Sequence, residues 1–184
     1  MAIKTYTAWE SPNVSDWNTY ATNGGLEWIS EYSIAGVTTN ISNMFSGTYR
    51  NYRLVFSNLY NTTAAAAYMM FSFTAGAGTA HYCGLKAVDN TAAVTLNNQN
   101  GSPYWLVGLT GGTVSNVSST LVVDIFNPNN AFETNYVAQG NWNAGGQYAG
   151  GVVNTTTQYT DLQIIGLFGA TLIGTLRWYG YRDT

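Results

Sequence analysis

The chain has 184 residues, of which only 8% are charged and 15% aromatic, and its formal net charge is -3. A soluble domain carries roughly 25% charged residues, so amides, hydroxyls and tyrosines must form most of this surface, the kind that other protein covers. The six Lys and Arg residues are scattered, which excludes the basic patch that phosphate binding needs and leaves nucleic acid without an expected role.

The length suits one sizeable core. The single cysteine, Cys83, cannot form an internal disulfide, so the fold does not rely on oxidative stapling. The first ten residues lack the apolar stretch of a secretory signal. The most apolar window, Leu162 to Leu176, is interrupted by Gln163, Gly166, Gly169 and Gly174. It is too short to cross a bilayer as a helix, so no membrane insertion is expected, and two buried strands joined at Gly169-Ala170 account for it.

In chain order, residues 1–35 read as an extended, aromatic-rich amino-terminal arm. Trp9, Trp17 and Trp28, with Tyr6, Tyr20 and Tyr32, stand among polar residues without sustained alternation. Such anchors fill pockets on a partner, or cap the open end of their own domain. Residues 36–184 then alternate with period two, the pattern of half-buried strands. Tyr52, Leu54 and Phe56 fall on one face and Arg53, Val55 and Ser57 on the other; Met69, Phe71 and Phe73 repeat the pattern.

Further strands are expected at His81 to Val88, Tyr104 to Leu109, Thr120 to Phe126, Phe132 to Gln139, Leu162 to Phe168 and Leu172 to Arg182. Between them lie turn-formers, including Asn58 to Thr63, Ala75 to Gly78, Asn97 to Pro103, Asn127 to Asn130 and Asn141 to Gly146. Short strands at this spacing indicate an all-β protein, an antiparallel β-sandwich or jelly roll with an extended amino-terminal arm. A repeat of propeller or solenoid length is not evident.

Catalytic chemistry finds little support. The only histidine, His81, has no nucleophile-elbow serine to serve. His81 and Cys83 are spaced to share a strand face, but a structural zinc needs four ligands, so no metal or cofactor is expected. Asp124 shares a face with Val122 and Phe126, and reads either as a lone acid or as the partner of an arginine such as Arg53 or Arg177. Glycosidase chemistry needs a second carboxylate. The glycine runs lack the dinucleotide fingerprint and the P-loop lysine, and read as turns. Sugar-binding residue types occur in Tyr104-Trp105 and in Asn135 to Asn143, where Tyr136 and Trp142 are the candidate glycan contacts. The same residues also suit a protein interface.

Two stretches, Gly47-Thr-Tyr-Arg-Asn-Tyr-Arg-Leu-Val-Phe-Ser-Asn-Leu59 and Gly174-Thr-Leu-Arg-Trp-Tyr-Gly-Tyr-Arg182, resemble the opening and closing strands of a β-sandwich module. That module occurs in virion structural proteins of tailed bacteriophages, notably those of marine bacteria and cyanobacteria. The resemblance spans about residues 45–182 and implies a non-enzymatic protein located in the virion, on a capsid surface or at a fibre tip, often as a trimer. This chain has no shaft, coiled coil or repeat, which favours a capsid decoration (cement) protein or a small tail-associated protein over a complete fibre. The expected partners are other virion proteins and further copies of the chain, with a trimer favoured. Trp9, Trp17 and Trp28 are expected to dock on the particle, and Arg177, Trp178, Tyr179 and Tyr181 to make the self-contact. The alternative is a receptor-binding, carbohydrate-recognising fibre-tip adhesin that contacts a host surface glycan.

Overall fold

The computed structural model describes residues 25–63, 66–73, 81–89, 94–112, 118–142 and 145–182. Their strands, in chain order, are β1 (Gly25–Gly36), β2 (Thr38–Ile41), β3 (Asn51–Asn61), β4 (Ala67–Ser72), β5 (His81–Asp89) and β6 (Val94–Ser102). They continue as β7 (Trp105–Thr110), β8 (Ser119–Phe126), β9 (Thr134–Trp142), β10 (Gly145–Val153), β11 (Leu162–Gly166) and β12 (Leu172–Arg182). The one helical element among the described residues is a 3-10 turn, Leu167–Gly169, at the junction where the apolar window was expected to fold back. The protein is an all-β sandwich of antiparallel sheets.

An eight-stranded sheet runs β1-β12-β3-β8-β9-β10-β5-β6, and a four-stranded sheet runs β2-β11-β4-β7. Setting aside the β5–β6 and β9–β10 hairpins leaves β1-β12-β3-β8 against β2-β11-β4-β7, which is the strand order of an eight-stranded jelly roll. Both hairpins add to the same side of one sheet. The larger sheet therefore has a jelly-roll half and an added half.

Alternation fixes the inner face. Tyr52, Leu54 and Phe56 of β3 are buried together with Leu121, Val123 and Ile125 of β8, and Met69 and Phe71 of β4 meet them from the smaller sheet. Ring contacts tie the layers, Phe56 to Phe71 at 5.8 Å and Trp105 to Tyr136 at 4.5 Å, while Phe73 stacks on Tyr159 at 4.3 Å beside the smaller sheet. Each large side chain buried in this way stabilises the fold by roughly 1.5–3 kcal/mol.

The edge strand β7 presents a physical problem, because all six of its residues are buried and only β4 pairs with it. An unpaired backbone group cut off from water costs about 1–3 kcal/mol. Side chains of the larger sheet take the place of a neighbouring strand. Gln147 of β10 accepts from the Leu109 N–H and donates to the Leu109 carbonyl at 3.1 Å, while Tyr136 of β9 donates to the Leu106 carbonyl. The Leu106 N–H donates to Cys83 Sγ at 3.3 Å, and Ser119 Oγ accepts from the Gly111 N–H just beyond the strand. Both inserted hairpins contribute.

Several expectations need correction. The sequence pattern extends the arm to residue 35, but Gly25–Gly36 is β1, paired along its length with β12 as an edge of the larger sheet. A register shift between Trp28 and Ser30 interrupts its alternation, which is why the pattern hid it. Residues Asn97 to Ser102, expected in a turn, belong to β6, and Gly145 opens β10 within another expected turn. Trp9 and Trp17 lie outside the described residues.

Candidate interaction surface

Registers across the larger sheet set its outer face in rows. One row runs Trp28, Tyr179, Arg53, Asp124, Val137, Gly150, Gly84. The next runs Glu31, Arg177, Val55, Val122, Gln139, Tyr148, Lys86. The first contains Trp28 at 61% exposure and Val137 at 56%, and the second contains Tyr148 at 62%. Leu26, one row further along β1, is 42% exposed.

In the jelly-roll half of this face the charges are already paired. Arg53 holds Asp124 bidentately, with both N–H···O distances 2.8 Å, and the Tyr181 hydroxyl donates to the same carboxylate at 2.8 Å. The Arg53 guanidinium also lies 5.6 Å from the Tyr181 ring centroid. Burial, then the hydrogen bond to Asp124 and its negative charge, push the Tyr181 phenol up to about 12. The hydrogen bond to Asp124 likewise raises Arg53. Nearby, Arg177 donates to Glu31 at 2.6 Å, and Arg182 donates to Glu27 at 2.7 Å. Hydrogen bonds from Arg182 and then Tyr49 hold Glu27 below the usual carboxylate range. Asp124 is thus the arginine partner that its position in β8 allowed.

The added half is built differently. Along β10, Gly146 and Gly150 flank Tyr148 on the outer face, and Gly84 of β5 stands beside Gly150 in register. A Cβ at Gly140 would meet the Thr120 carbonyl at 2.1 Å, and one at Gly180 would enter the Tyr49 ring at 2.2 Å, so those glycines are required by internal packing. A Cβ at Gly146 would meet nothing within 4 Å, and at Gly150 only the Tyr136 carbonyl at 3.5 Å, an ordinary contact. Internal packing requires neither of them.

The sequence-derived site residues divide on these grounds. Arg177, Tyr179 and Tyr181 share the outer face, with Trp28 directly opposite Tyr179. Trp178 does not: it points inward at 8% exposure, and its Nε1 is buried without a hydrogen-bond partner. Tyr136 is 1% exposed and engaged with Leu106, so it is closed to any glycan. Trp142 is half-buried against the core with its Nε1 enclosed, which removes its indole N–H as a sugar contact. Trp105 is buried under Phe73, while Tyr104 beside it stays exposed. Cys83 faces inward onto β7, and the side chain of His81 lies outside the described residues.

Sequence reasoning missed Tyr148, Val137 and Gln147. Their strands carry usable alternation, Gln147-Ala149-Gly151-Val153 inward and Tyr148-Gly150-Val152 outward, but glycine at four of the nine positions of β10 reads as turn. Among the described residues no three His, Cys, Asp or Glu side chains come together, and no helix is long and apolar enough to cross a membrane. No protein-family model matches the chain, and no curated protein is significantly similar to it.

Proposed function

We propose that this protein is a non-enzymatic structural component of a bacteriophage virion, a capsid decoration protein or small tail-associated protein that self-associates and docks through its amino-terminal segment. The observation that carries the reading is the outer face of the larger sheet, which exposes Trp28, Val137 and Tyr148 while its ion pairs are closed on themselves. In the jelly-roll half of this face the charges are already matched, so covering that half strips no lone ion of water. Arg177, Tyr179 and Tyr181 belong to this face and remain the proposed self-contact, in a trimer by the sequence resemblance. Trp9 and Trp17 remain the proposed particle-docking residues; Trp28 sits in the sheet itself. A structural rather than catalytic role also fits Asp124, whose carboxylate is engaged by both Arg53 and Tyr181.

The adhesin reading loses Tyr136 and Trp142, the residues on which it rested. Light scattering and particle co-sedimentation test the proposal together. The full chain is expected to form a discrete homo-oligomer and to co-sediment with the particle. Deleting residues 1–24 should release it from the particle with circular dichroism unchanged. A protein that stays monomeric at high concentration, with tryptophans freely quenched by iodide on the particle, overturns the reading.

A further inference from the structure

We infer that Phe168, at the tip of the turn between β11 and β12, stands beside the rotation axis of the assembly, where its ring packs against Phe168 of the other copies. The inference rests on the self-association proposed above and names the residue that marks the axis; in a trimer the three rings close on one another.

The backbone of this turn calls for a different residue. Phe168 has φ 58° and ψ 28°, Gly169 follows at φ 76°, and the Ala170 N–H donates to the Leu167 carbonyl at 3.3 Å. These are the angles of a type I′ turn, whose first central position favours asparagine, aspartate or glycine because a bulky side chain is strained in the left-handed region. Among the described residues, the other non-glycine positions with positive φ are Asn43, Asn58 and Asn127. Asparagine stands where the backbone alone decides, and at this turn phenylalanine stands against that preference.

The ring gains no burial within the chain. At 88% it is the most exposed large apolar side chain among the described residues. The base beneath it is fixed, since Leu167 packs against the core and Ala170 is buried. The Gly166 N–H donates to the Val37 carbonyl at 2.8 Å, and the Thr62 N–H donates to the Thr171 carbonyl at 3.0 Å. An aromatic anchor presented in this way needs little ordering on contact.

The distribution of charge selects the occupant. Strand registers place Gly36, Asn61 and Leu172 at this end of the sandwich, and Gly25, Asn51 and Arg182 at the other. The segments around the turn, residues 36–38, 57–63 and 167–171, contain no charged residue, and Val37 among them is 41% exposed. On β1, β12, β3 and β8 the charges, Glu27, Glu31, Arg177, Arg182, Arg53 and Asp124, begin at mid-strand and run toward the opposite end. Residues beside a rotation axis meet their own counterparts, so a charge there would oppose a like charge. An uncharged end with one projecting ring avoids that conflict, and aromatic rings attract one another in offset or edge-to-face pairs.

Other occupants fit less well. The amino-terminal segment, proposed above to dock on the particle, enters β1 at Gly25, at the far end. A bilayer would find no lysine or arginine in these segments to meet its headgroups. The turn leads directly into β12, whose outer face carries the proposed self-contact. Copies that meet along β12 therefore bring their turns together at its start.

The test joins sedimentation equilibrium of the full chain and of Phe168→Asn with bismaleimide cross-linking of Val37→Cys, beside the turn, and of Asn135→Cys, exposed at the opposite end. Cys83 is buried and does not compete. The wild type is expected to form one discrete oligomer. Phe168→Asn should keep its circular dichroism spectrum, because the turn favours asparagine, and should raise at least ten-fold the concentration at which half the chains are assembled. Val37→Cys should link chain to chain faster than Asn135→Cys, and adding Phe168→Asn should abolish the difference. An oligomer that Phe168→Asn leaves unchanged, or a Val37→Cys that links no faster than Asn135→Cys, overturns the axial contact and leaves the wider reading standing. A monomeric wild type overturns both. Release from the particle by Phe168→Asn with the oligomer intact would overturn the axial contact and assign the ring to a pocket on another virion protein.

Discussion

The two halves of the larger sheet share one backbone lattice and use their outer faces in opposite ways. On β1-β12-β3-β8, long side chains cross between strands and satisfy one another: Arg53 with Asp124 and Tyr181, Arg177 with Glu31. On β9-β10-β5, the described outer positions include two uncrowded glycines and one free-standing tyrosine. Charge pairing makes a surface that can be covered; relief makes one that fits a particular shape. The added hairpins are also held differently. They are joined to the smaller sheet through side chains that complete the β7 edge, whereas β3 packs mainly through the apolar core and reaches β7 by a polar contact only at its last residue, Asn61, which donates to Thr110 and to the Gly111 carbonyl.

The largest break in that comparison should come from Gln147→Leu. Both the N–H and the carbonyl of Leu109 would be orphaned in a dry site, so chemical denaturation should show a loss of about 2–5 kcal/mol. Hydrogen exchange should rise first at β7 and the inserted hairpins, not at β3. If β3 and β12 open together with them at the same cost, the halves are one cooperative unit and the distinction fails.

Next, Arg53→Ala removes a bidentate partner from a carboxylate that is 21% exposed. That places it between exposed pairs, worth less than 1 kcal/mol, and buried ones, whose breaking costs 3–5 kcal/mol; a loss of about 1–2 kcal/mol is expected. Unfolding curves with and without added salt measure it, and an effect abolished by salt would show the pair to be solvent-screened.

Gly150→Val should move stability the other way, by about 0.5–1 kcal/mol upward, because a β-branched residue suits an open strand position. A differential scanning calorimetry endotherm that shifts down would mean that the space above Gly150 is used within the chain itself.

The smallest effect is in alkali. Tyr181 is raised in the folded state above the ordinary phenol value near 10, so its contribution to stability is complete below pH 10 and is lost as pH rises toward 12. Difference titration of ultraviolet absorbance against Tyr181→Phe should place this phenol near 12. In Asp124→Asn it should titrate lower but remain above the ordinary range, since burial is the first cause of the shift.

Much of the jelly-roll half was legible in the chain because its signal is local. Tyr52-Leu54-Phe56 and Leu121-Val123-Ile125 each point inward by simple alternation, and the outward position of Arg177, Tyr179 and Tyr181 follows from the same rule. Where a register shift intervenes, as after Trp28 in β1, alternation breaks and the strand looks like an arm. Where glycine and asparagine dominate, as in β10 and β6, turn chemistry outweighs a weak period-two pattern. Composition placed Tyr136 and Trp142 among sugar-binding residue types, but tertiary packing consumed both of them.

By itself the sequence determined an all-β chain, poor in charge, whose apolar residues alternate closely enough to fix which way most strands face. Those properties depend on neighbours one or two residues apart. Only the tertiary structure decided that two hairpins extend one sheet of a jelly roll, that Gln147 stands in for a missing strand beside β7, and that Tyr148 rises beside Gly150 and Gly84. Each joins residues far apart in the chain, and long-range strand pairing and close packing set it.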